Sequence, residues 1–305
     1  MTYWPAVGVV VPTRDRPELL HRALAAIRTQ DYPGPLHTAV VFDGTLPDLS
    51  HQDNGRDRPV RVLGNWRTPG LAGARNSGVL GLNTELVAFC DDDDTWHPEK
   101  LTRQVRRLLA EPEAEMVTCA IEVSYGNRLS LRLAGTASVD HRRLLRRRMA
   151  MLHSSTFLLR RVALTRGIGL VAEDAPGSQN EDYDLLLRAA RRRPVAHVDS
   201  PLVRVQWGAG SHFANRYDTK IASLEWLLER HPELRAHRAG AARVYGQLAC
   251  WHAARGAGRP AVSWAGRALR ARWREPRAVI ALAAAAHVIR VETVLDALHR
   301  RGHGI

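Results

Sequence analysis

The sequence predicts an α/β fold, with a mainly parallel, doubly wound sheet and flanking helices, followed by an all-helical C-terminal region. Over the first two-thirds of the chain, short apolar runs alternate with amphipathic segments of helical period, as in consecutive βαβ units. Acidic turns follow several of these runs, and open α/β sheets bind ligands where such strands end. From about residue 215 no strand-like run occurs. We therefore predict two domains, residues 1–214 and 215–305.

The first half of the chain predicts the element order β-α-β-β-α-β-α. Residues 7–11 form a run of mainly β-branched residues, typical of a strand buried on both faces, which Pro12 ends. A helix begins at Pro17, where apolar residues recur at intervals of three and four. Residues 69–78 are rich in small side chains, which let a helix N-terminus approach a ligand or a strand closely. The other predicted elements are strands 38–42, 60–63 and 86–91 and helices ending near 82 and spanning 98–109.

The second half of the chain predicts five more strands and then only helices. By the same patterns the strands are 116–123, 128–133, 155–159, 195–198 and 202–207. Two helices lie among them, at 140–151 and at 181–192, and Asn180 is the expected N-cap of the second. The predicted helices of the C-terminal region are 220–230, 235–255, 261–272 and 277–300.

Composition narrows the class of protein. The chain has 305 residues, of which 45% are hydrophobic, enough for one large domain and a smaller appendage. Its three cysteines form no Cys-x-x-Cys pair, which argues against a disulfide framework or a structural zinc site. Neither a signal peptide nor an apolar stretch of about eighteen residues is visible. We therefore expect a soluble, cytoplasmic protein.

The formal net charge of +13 suggests anionic partners. Nucleic acid, acidic lipid and a phosphorylated substrate all fit such a charge, which by itself does not choose among them. Five arginines crowd residues 142–148. We interpret this run as a solvated helix face. The alternative is a site for anionic lipid or an acidic acceptor, which would place the protein at the inner face of the membrane.

The four adjacent aspartates Asp91, Asp92, Asp93 and Asp94 directly follow an apolar run. Such carboxylates repel one another unless a positive charge lies among them. If the chain stays extended, Asp91 and Asp93 face one way and the other two face the opposite way. One pair could then bind Mg²⁺ or Mn²⁺ together with substrate phosphates, while the other caps the next helix. The alternative is a turn with a helix cap and no metal.

A second acidic run, Glu181-Asp182-Tyr183-Asp184, follows the Gly/Pro-rich segment 172–179. Acidic residues in the first turn of a helix are favoured by the macrodipole, so the run has a purely structural explanation. The preceding loop, however, resembles loops that close over substrates. A carboxylate at this position could accept a proton from an attacking hydroxyl. We choose Asp182 for that base and Glu181 as the second choice.

Three further residues are candidates for ligand binding, and each also has an ordinary structural interpretation. Asp43, at a strand end, could bind a base or sugar, or could simply form an Asp-Gly turn. Arg75 could pair with a phosphate or lie on a helix surface. His212 follows a Gly-rich turn and could contact a metal or phosphate, or be one more solvated histidine. Neither a Gly-x-Ser-x-Gly elbow nor a P-loop is present.

Five motifs occur in an order that closely resembles the family 2 glycosyltransferases with a GT-A fold, over about residues 6–210. The motif segments are 9–17, 43–45, 73–78, 89–101 and 181–185. Relatives often carry two aspartates before the glycine that follows the second strand, whereas Phe42 takes the first place here. The Asp91–Asp94 run also has an extra acidic residue.

The resemblance implies a nucleotide-diphosphate-sugar donor whose diphosphate is bridged to the aspartates by Mn²⁺ or Mg²⁺. Carried over by position, the resemblance assigns a role to each of several residues: Thr13 and Asp43 to the nucleoside with Arg75 close by, Asp91 to the ribose or sugar, Asp93 to the metal with Asp92 and Asp94 nearby, His212 to the metal or diphosphate, and Asp182 to general-base catalysis of an inverting displacement.

The acceptor stays open among a carbohydrate, a lipid-linked intermediate and a small molecule, and we expect no nucleic-acid partner. Two alternatives to the glycosyltransferase remain. One is a nucleotidyltransferase on a similar core, which would normally have a Gly-rich loop after the first strand. The other is a basic nucleic-acid-binding protein. Only the arginine-rich residues 142–148 resemble the cluster of basic residues that such a protein would need.

Overall fold

The structure is a computed structural model that describes residues 3–126, 128–207, 216–291, 293, 294 and 297. A ten-stranded mixed sheet forms its centre. The strands are β1 (Val7–Thr13), β2 (Leu36–Phe42), β3 (Val60–Gly64), β4 (Leu86–Phe89), β5 (Thr95–Trp96), β6 (Met116–Tyr125), β7 (Arg128–Arg132), β8 (Ser138–Val139), β9 (Leu158–Arg160) and β10 (Val195–Trp207). Their order across the sheet is β3-β2-β1-β4-β9-β6-β10-β5, with β7 beside β6 and β8 beside β10.

Helices cover both faces of the sheet and form the C-terminal region. They are α1 (Pro17–Arg28), α2 (Leu71–Gly81), α3 (Lys100–Ala110), α4 (His141–Arg146), α5 (Arg161–Ala163), α6 (Glu181–Arg192), α7 (Tyr217–Arg230), α8 (Pro232–Ala236), α9 (Arg238–Ala254), α10 (Gly258–Ala271) and α11 (Pro276–Ala285). The predicted α/β fold with a helical C-terminal region is confirmed. Within the described ranges, no helix combines the length and hydrophobicity needed to span a bilayer.

The sheet is parallel only in part. Strands β1 to β4 are mutually parallel, as the alternating pattern predicts, and β6 is parallel to β10. Between these two groups lies β9, antiparallel to both β4 and β6. The two strands predicted at 195–198 and 202–207 are one strand, β10, with register shifts around Pro201. Proline lacks the N–H that a regular ladder needs, so an irregularity is expected there.

Two helices end earlier than predicted, and one predicted helix cap is absent. The helix predicted to reach residue 151 ends at Arg146, and Met149 then adopts a left-handed conformation with φ of 51°. The last predicted helix ends at Ala285, shortly before His287, with φ of 59°. Asn180 precedes α6 as predicted, but its φ is 63° and its amide donates to Ser223 Oγ at 2.7 Å, so its side chain caps nothing. Pattern alone does not locate these left-handed residues.

Two cores lie on opposite faces of the sheet, because successive side chains of β1 alternate between them. Val9 and Val11 face the core under α1 and α3, whereas Val10 faces the core under α2 and α6. The predicted close approach of a small-residue helix is confirmed: a Cβ at Gly78 of α2 would lie 2.3 Å from Val10 Cγ1. Helix α2 therefore packs directly onto the centre of the sheet.

The helical region continues the second of these cores. Apolar residues of α7, α8 and α9 belong to the same cluster as α6, among them Leu227, Leu234 and Val244. A smaller, mainly alanine cluster joins α9, α10 and α11. The domain boundary predicted at 214/215 falls within residues 208–215, outside the described residues, and the division into two domains stays a prediction.

Candidate active site

The site forms where parallel strands end side by side. Thr13 of β1 is the register partner of Phe42 in β2, and Val10 of β1 is the register partner of Phe89 in β4. Thr13, Asp43 and the aspartates after Phe89 consequently meet at the carboxyl edge of the sheet, the usual place for a ligand in such a fold.

The four aspartates form a turn. Strand β4 ends at Phe89, and the Asp94 amide donates to the Asp91 carbonyl oxygen at 3.1 Å. The chain is not extended here, so the alternation that depended on this condition does not occur, and the turn of the alternative is present. The predicted helix cap is wrong, because α3 begins only at Lys100 and no side chain caps it. A turn directs the four carboxylates to four different surroundings.

Two of these carboxylates face the first loop. Thr13 Oγ1 donates to Asp92 at 2.8 Å, and Arg16 donates to Asp92 at 3.3 Å and to Asp93 at 3.1 Å. Asp92 is buried, whereas the Asp93 side chain is 40% exposed. Burial and then the charges of Asp94, Asp91 and Asp92 raise the pKa of Asp93 to about 7. A cation beside Asp93 would relieve this repulsion.

Arg75 joins the aspartate turn to α6. Its guanidinium is buried and donates to Asp91 Oδ1 and to Glu181 Oε1, both at 2.6 Å. Burial, and after it the charge of Asp182, raise the pKa of Glu181 to about 7 against the opposing charge of Arg75. Burial also disfavours the charged form of Asp91, but Arg75, together with His153 and Ser154, outweighs burial and lowers the pKa of Asp91. Arg75 is therefore not a surface arginine, and its predicted contact with a donor phosphate stays a prediction.

His153 completes a group that fits a divalent cation. One ligand atom each from Asp91, Asp94 and His153 lies within 4.8 Å of the others. Asp94 Oδ2 is buried, accepts no hydrogen bond from the described residues and lies 3.3 Å from His153 Nδ1. Carboxylate oxygens are ligands that Mg²⁺ and Mn²⁺ prefer. The residues present thus fit the metal ion that the sequence implies.

His153 also lies between the two acidic segments. Burial disfavours its charged form, but Asp94, Asp91 and Asp182 together raise the pKa of His153 to about 9. Sequence reasoning missed this residue, because one histidine among fourteen before two serines carries no recognisable pattern. Ser154 and Ser155 were missed for the same reason: Ser154 Oγ donates to Asp91 Oδ2, and the Asp91 amide donates to Ser155 Oγ, both at 2.9 Å.

Asp43 has a structural role, as one of its two interpretations expects, and it also lines the site. Its carboxylate accepts hydrogen bonds from Asn65 Nδ2 at 2.7 Å and from the Gly70 amide at 3.0 Å. Gly70 has a φ of 120° and immediately precedes α2. Asp43 therefore holds the start of α2 against the end of β2. Whether it also binds a nucleoside stays a prediction.

Asp182 lies in the first turn of α6, with both carboxylate oxygens engaged. Oδ1 accepts from the Tyr183 amide at 2.6 Å, and Oδ2 accepts from Arg148. The Asp182 side chain is 18% exposed, against 6% for Glu181. Arg148 belongs to the arginine-rich run that the sequence places on a solvated face. At this one residue that prediction is wrong, because the chain after α4 turns inward.

Hydrogen bonds hold the segment before α6 to other parts of the structure at several points. Glu173 accepts hydrogen bonds from Thr68 Oγ1 at 2.7 Å and from Asn76 Nδ2 at 2.6 Å. Asp174 accepts from Trp226 Nε1 of α7 at 3.0 Å. These contacts do not support the predicted loop that closes over a substrate. His212 lies outside the described residues, so its predicted contact with the metal or diphosphate stays a prediction.

Together, the mixed sheet, the acidic turn at its carboxyl edge and the acidic start of α6 define a GT-A fold. Residues 8–167, just over half of the chain, match the model of glycosyl transferase family 2. This chain therefore belongs to glycosyl transferase family 2.

Curated relatives resemble only part of the chain. The GalNAc(5)-diNAcBac-PP-undecaprenol beta-1,3-glucosyltransferase of Campylobacter jejuni is 32% identical over 94 residues, 30% of this chain and 30% of that protein. The UDP-Glc:alpha-D-GlcNAc-diphosphoundecaprenol beta-1,3-glucosyltransferase WfgD of Escherichia coli is 24% identical over 110 residues, 34% of this chain and 41% of its own length. The matched segment thus spans less than half of either relative.

Solved structures resemble the chain along nearly its whole length. S. aureus TarS 1-349 in complex with UDP-GlcNAc superposes with a TM-score of 0.59 at 17% identity, covering 97% of this chain and 92% of TarS 1-349. The mannosyltransferase PcManGT from Pyrobaculum calidifontis, in complex with GDP-Man and Mn²⁺, gives a TM-score of 0.54 at 20% identity, with 94% and 87% covered. At these identities the likeness establishes the fold alone.

Proposed function

We propose that this chain transfers a glycosyl group from a nucleotide-diphosphate sugar to an acceptor hydroxyl, with a bound Mn²⁺ or Mg²⁺ and with inversion at the sugar. The observation that carries this proposal is the buried link from Asp91 through Arg75 to Glu181. It fixes the aspartate turn and the residue next to Asp182 relative to each other. Donor and base must be held in this way for a single displacement.

The donor side of the site comprises Thr13, Asp43 and the aspartate turn. Asp93, the exposed aspartate, and the group Asp91, Asp94 and His153 would hold the metal ion. When bound, such an ion acts as a Lewis acid that neutralises charge developing on the diphosphate leaving group. The chain itself contributes carboxylates held at fixed positions by Thr13, Arg16 and Ser154. Which aspartate touches the ion stays a prediction.

The base we propose is Asp182, in preference to Glu181. A general base must reach the hydroxyl that it deprotonates. Glu181 is almost fully buried and bound to Arg75, so it holds the site together. Asp182 is the more exposed of the two, and its partner Arg148 is also partly exposed.

Relatives support the donor class and bear on the acceptor. TarS binds UDP-GlcNAc, and PcManGT binds GDP-Man with Mn²⁺. Both glucosyltransferases named above have a diphosphoundecaprenol-linked sugar in their names. A lipid-linked acceptor at the cytoplasmic face of a membrane is consistent with these names, and a carbohydrate or small molecule remains the alternative. Family membership favours this reading over the nucleotidyltransferase and the nucleic-acid-binding protein.

A donor screen tests the proposal. UDP-, GDP- and dTDP-sugars are incubated with the purified protein in Mn²⁺ or in EDTA, and both donor binding and release of nucleoside diphosphate are measured. We expect one nucleotide class to bind and turn over only with the metal. Equal binding of every nucleotide regardless of metal would contradict the proposal.

Asp182→Asn tests the base. We expect it to lower transfer by about 10²- to 10⁴-fold, because the acceptor hydroxyl loses its proton acceptor, and to leave metal-dependent donor binding unchanged. Asp218→Asn is the matched control, since Asp218 occupies the first turn of α7 and is exposed. If Asp182→Asn transfers sugar at the wild-type rate, Asp182 is not the base.

A further inference from the structure

Arg148 blocks the proposed base. Of the two Asp182 oxygens, Oδ1 accepts from the Tyr183 amide and Oδ2 from Arg148. Each oxygen therefore already accepts one hydrogen bond, and the Arg148 cation competes with an incoming hydroxyl for Oδ2. The next step rests on the proposed function: release of Arg148 leaves Oδ2 to the acceptor hydroxyl. A group that is bound with the acceptor and is a better partner for Arg148 would cause this release.

A second guanidinium shares the same neighbour. Arg148 lies 5.0 Å and Arg243 5.4 Å from the centroid of the Tyr183 ring, within the range of cation–π contacts. Arg243 comes from α9 in the helical region and donates to the Tyr183 hydroxyl at 2.9 Å. That hydroxyl in turn donates to the Leu144 carbonyl oxygen at 2.7 Å. Tyr183 thus fixes an arginine of the helical region beside the residue that blocks the base.

Positive charge exceeds negative charge at this place. Among the described residues, Arg148 forms an ion pair only with Asp182, Arg277 of α11 forms one only with Glu275, and Arg243 forms none. Burial and then the nearby charges of Arg277 and Arg148 lower the pKa of Arg243. The Nε atoms of Arg243 and Arg277 are buried and donate to no acceptor in the described part of the chain. Donors without acceptors beside like charges indicate a place for an anion.

We propose that Arg148, Arg243 and Arg277 bind a phosphate group carried by the acceptor, and that this phosphate draws Arg148 away from Asp182. A phosphate presents several acceptor oxygens, and guanidinium groups bind them in a bidentate manner. The exchange breaks one ion pair and forms another, with no proton transferred. The side chains of Arg148 and Arg277 are 23% and 24% exposed, so the ligand can reach them from solvent. The base is thereby freed only when a phosphorylated acceptor is in place.

Phosphate binding tests the site without any turnover. Inorganic phosphate is titrated into the full chain by calorimetry, in EDTA and without donor, for wild type, Arg148→Gln and Arg243→Gln. We expect each substitution to weaken binding by about tenfold or more, as loss of a charged hydrogen bond does. Arg147→Gln is the matched control, because Arg147 is the exposed neighbour of Arg148. Arg148→Lys, which keeps the charge, should recover part of the affinity even if Arg148→Gln folds poorly.

Wild type that binds no phosphate, or variants that bind it as wild type does, would overturn the inference. Phosphate binding without sugar transfer from any donor would instead contradict the proposed function and leave the anion site standing.

Competition by glycerol phosphate in solution, compared with vesicles that contain phosphatidic acid, identifies a soluble or a membrane-held phosphate as the source. With an active donor, Arg148→Gln should also raise the rate at which water hydrolyses the donor and raise the apparent KM for the acceptor. A merely structural role of Arg148 would not produce both effects.

Discussion

At the scale of single residues, the site is a set of carboxylates kept apart by different partners. Asp91 is held by Arg75, Asp92 by Thr13, and Asp93 by Arg16 alone. Only Asp93 combines substantial exposure with a pKa raised to about 7. Identical side chains in sequence therefore differ in their chemistry because the turn gives each one its own neighbours.

Metal binding should depend on pH through Asp93. Its raised pKa means that the carboxylate still binds a proton below about 7, and a metal ion must displace that proton. We expect the affinity for Mn²⁺ to rise most steeply below pH 7, where Asp93 and His153 both lose a proton on binding, and by about tenfold per pH unit between 7 and 9, where only His153 does. Mn²⁺ binding is measured by electron paramagnetic resonance from pH 6 to pH 9.

Asp93→Asn should lower the Mn²⁺ affinity and reduce the slope below pH 7, while the slope between pH 7 and pH 9 stays unchanged. Substitution of Asp53, which lies outside the aspartate turn and pairs with Arg28, serves as the control. An unchanged slope below pH 7 in Asp93→Asn would contradict the assignment to Asp93.

Local sequence patterns predicted the motifs but not the contacts that join them. Strand ends and acidic runs are properties of neighbouring residues, so the acidic runs at 91–94 and 181–184 could be selected as candidates from the sequence. The link between Arg75 and Glu181 spans 106 positions, and that between Ser154 and Asp91 spans 63. No pattern within one segment specifies such pairs. The sequence left open whether residues 91–94 stay extended or form a turn, since apolar runs do not mark where a strand ends.

At the scale of elements, α2 positions the site through its small residues. A Cβ at Gly73 would lie 1.9 Å from the Thr68 carbonyl oxygen, a distance that atoms cannot occupy. Because Arg75 follows two residues later, a shift of α2 would also move its guanidinium away from Asp91 and Glu181. The predicted close approach of this helix is thus a requirement of the site as well as of the core.

Gly73→Ala should destabilise the protein by about 1–3 kcal/mol, the usual cost of overpacking, and should lower donor binding. Gly266→Ala in α10 is the matched control, since nothing lies within 4 Å of its added Cβ. There we expect a gain of up to about 1 kcal/mol, because alanine favours helix. Thermal or urea unfolding measures both. Equal effects of the two substitutions would mean that α2 can move without penalty.

At the scale of the whole molecule, one buried carboxylate connects the sheet domain to the helical region. Asp184 of α6 is fully buried and accepts from Arg188 Nε at 2.9 Å, from Arg230 Nε at 2.7 Å and from His231 Nε2 at 2.9 Å. Burial opposes its charge, but His231, Arg188 and Arg230 lower the pKa of Asp184 to about 2. Around it, leucines of α6, α7 and α8 share one core. The two regions should therefore unfold together.

Asp184→Asn should destabilise the whole protein by about 3–5 kcal/mol at pH 7, because it leaves buried positive groups without their partner. A carboxylate with a lowered pKa contributes stability above its unfolded value of about 4, and this contribution is lost as the pH falls toward 2. The difference between wild type and variant should accordingly shrink below about pH 4. Calorimetry should give one transition for wild type. Two separate transitions would show that the regions unfold independently.

The shared position of Asp182 and Asp184 on α6 has a consequence for engineering. One turn of this helix carries the proposed base, Asp182, at the candidate active site and the buried carboxylate of Asp184, which contacts α7 and α8. A chimera that joins this sheet domain to the helices of another relative would lose Arg230 and His231, and α6 would tilt or loosen at the base itself. Exchange of acceptor preference between such enzymes therefore calls for a junction placed before α6, so that the helix and its helical partners are inherited together.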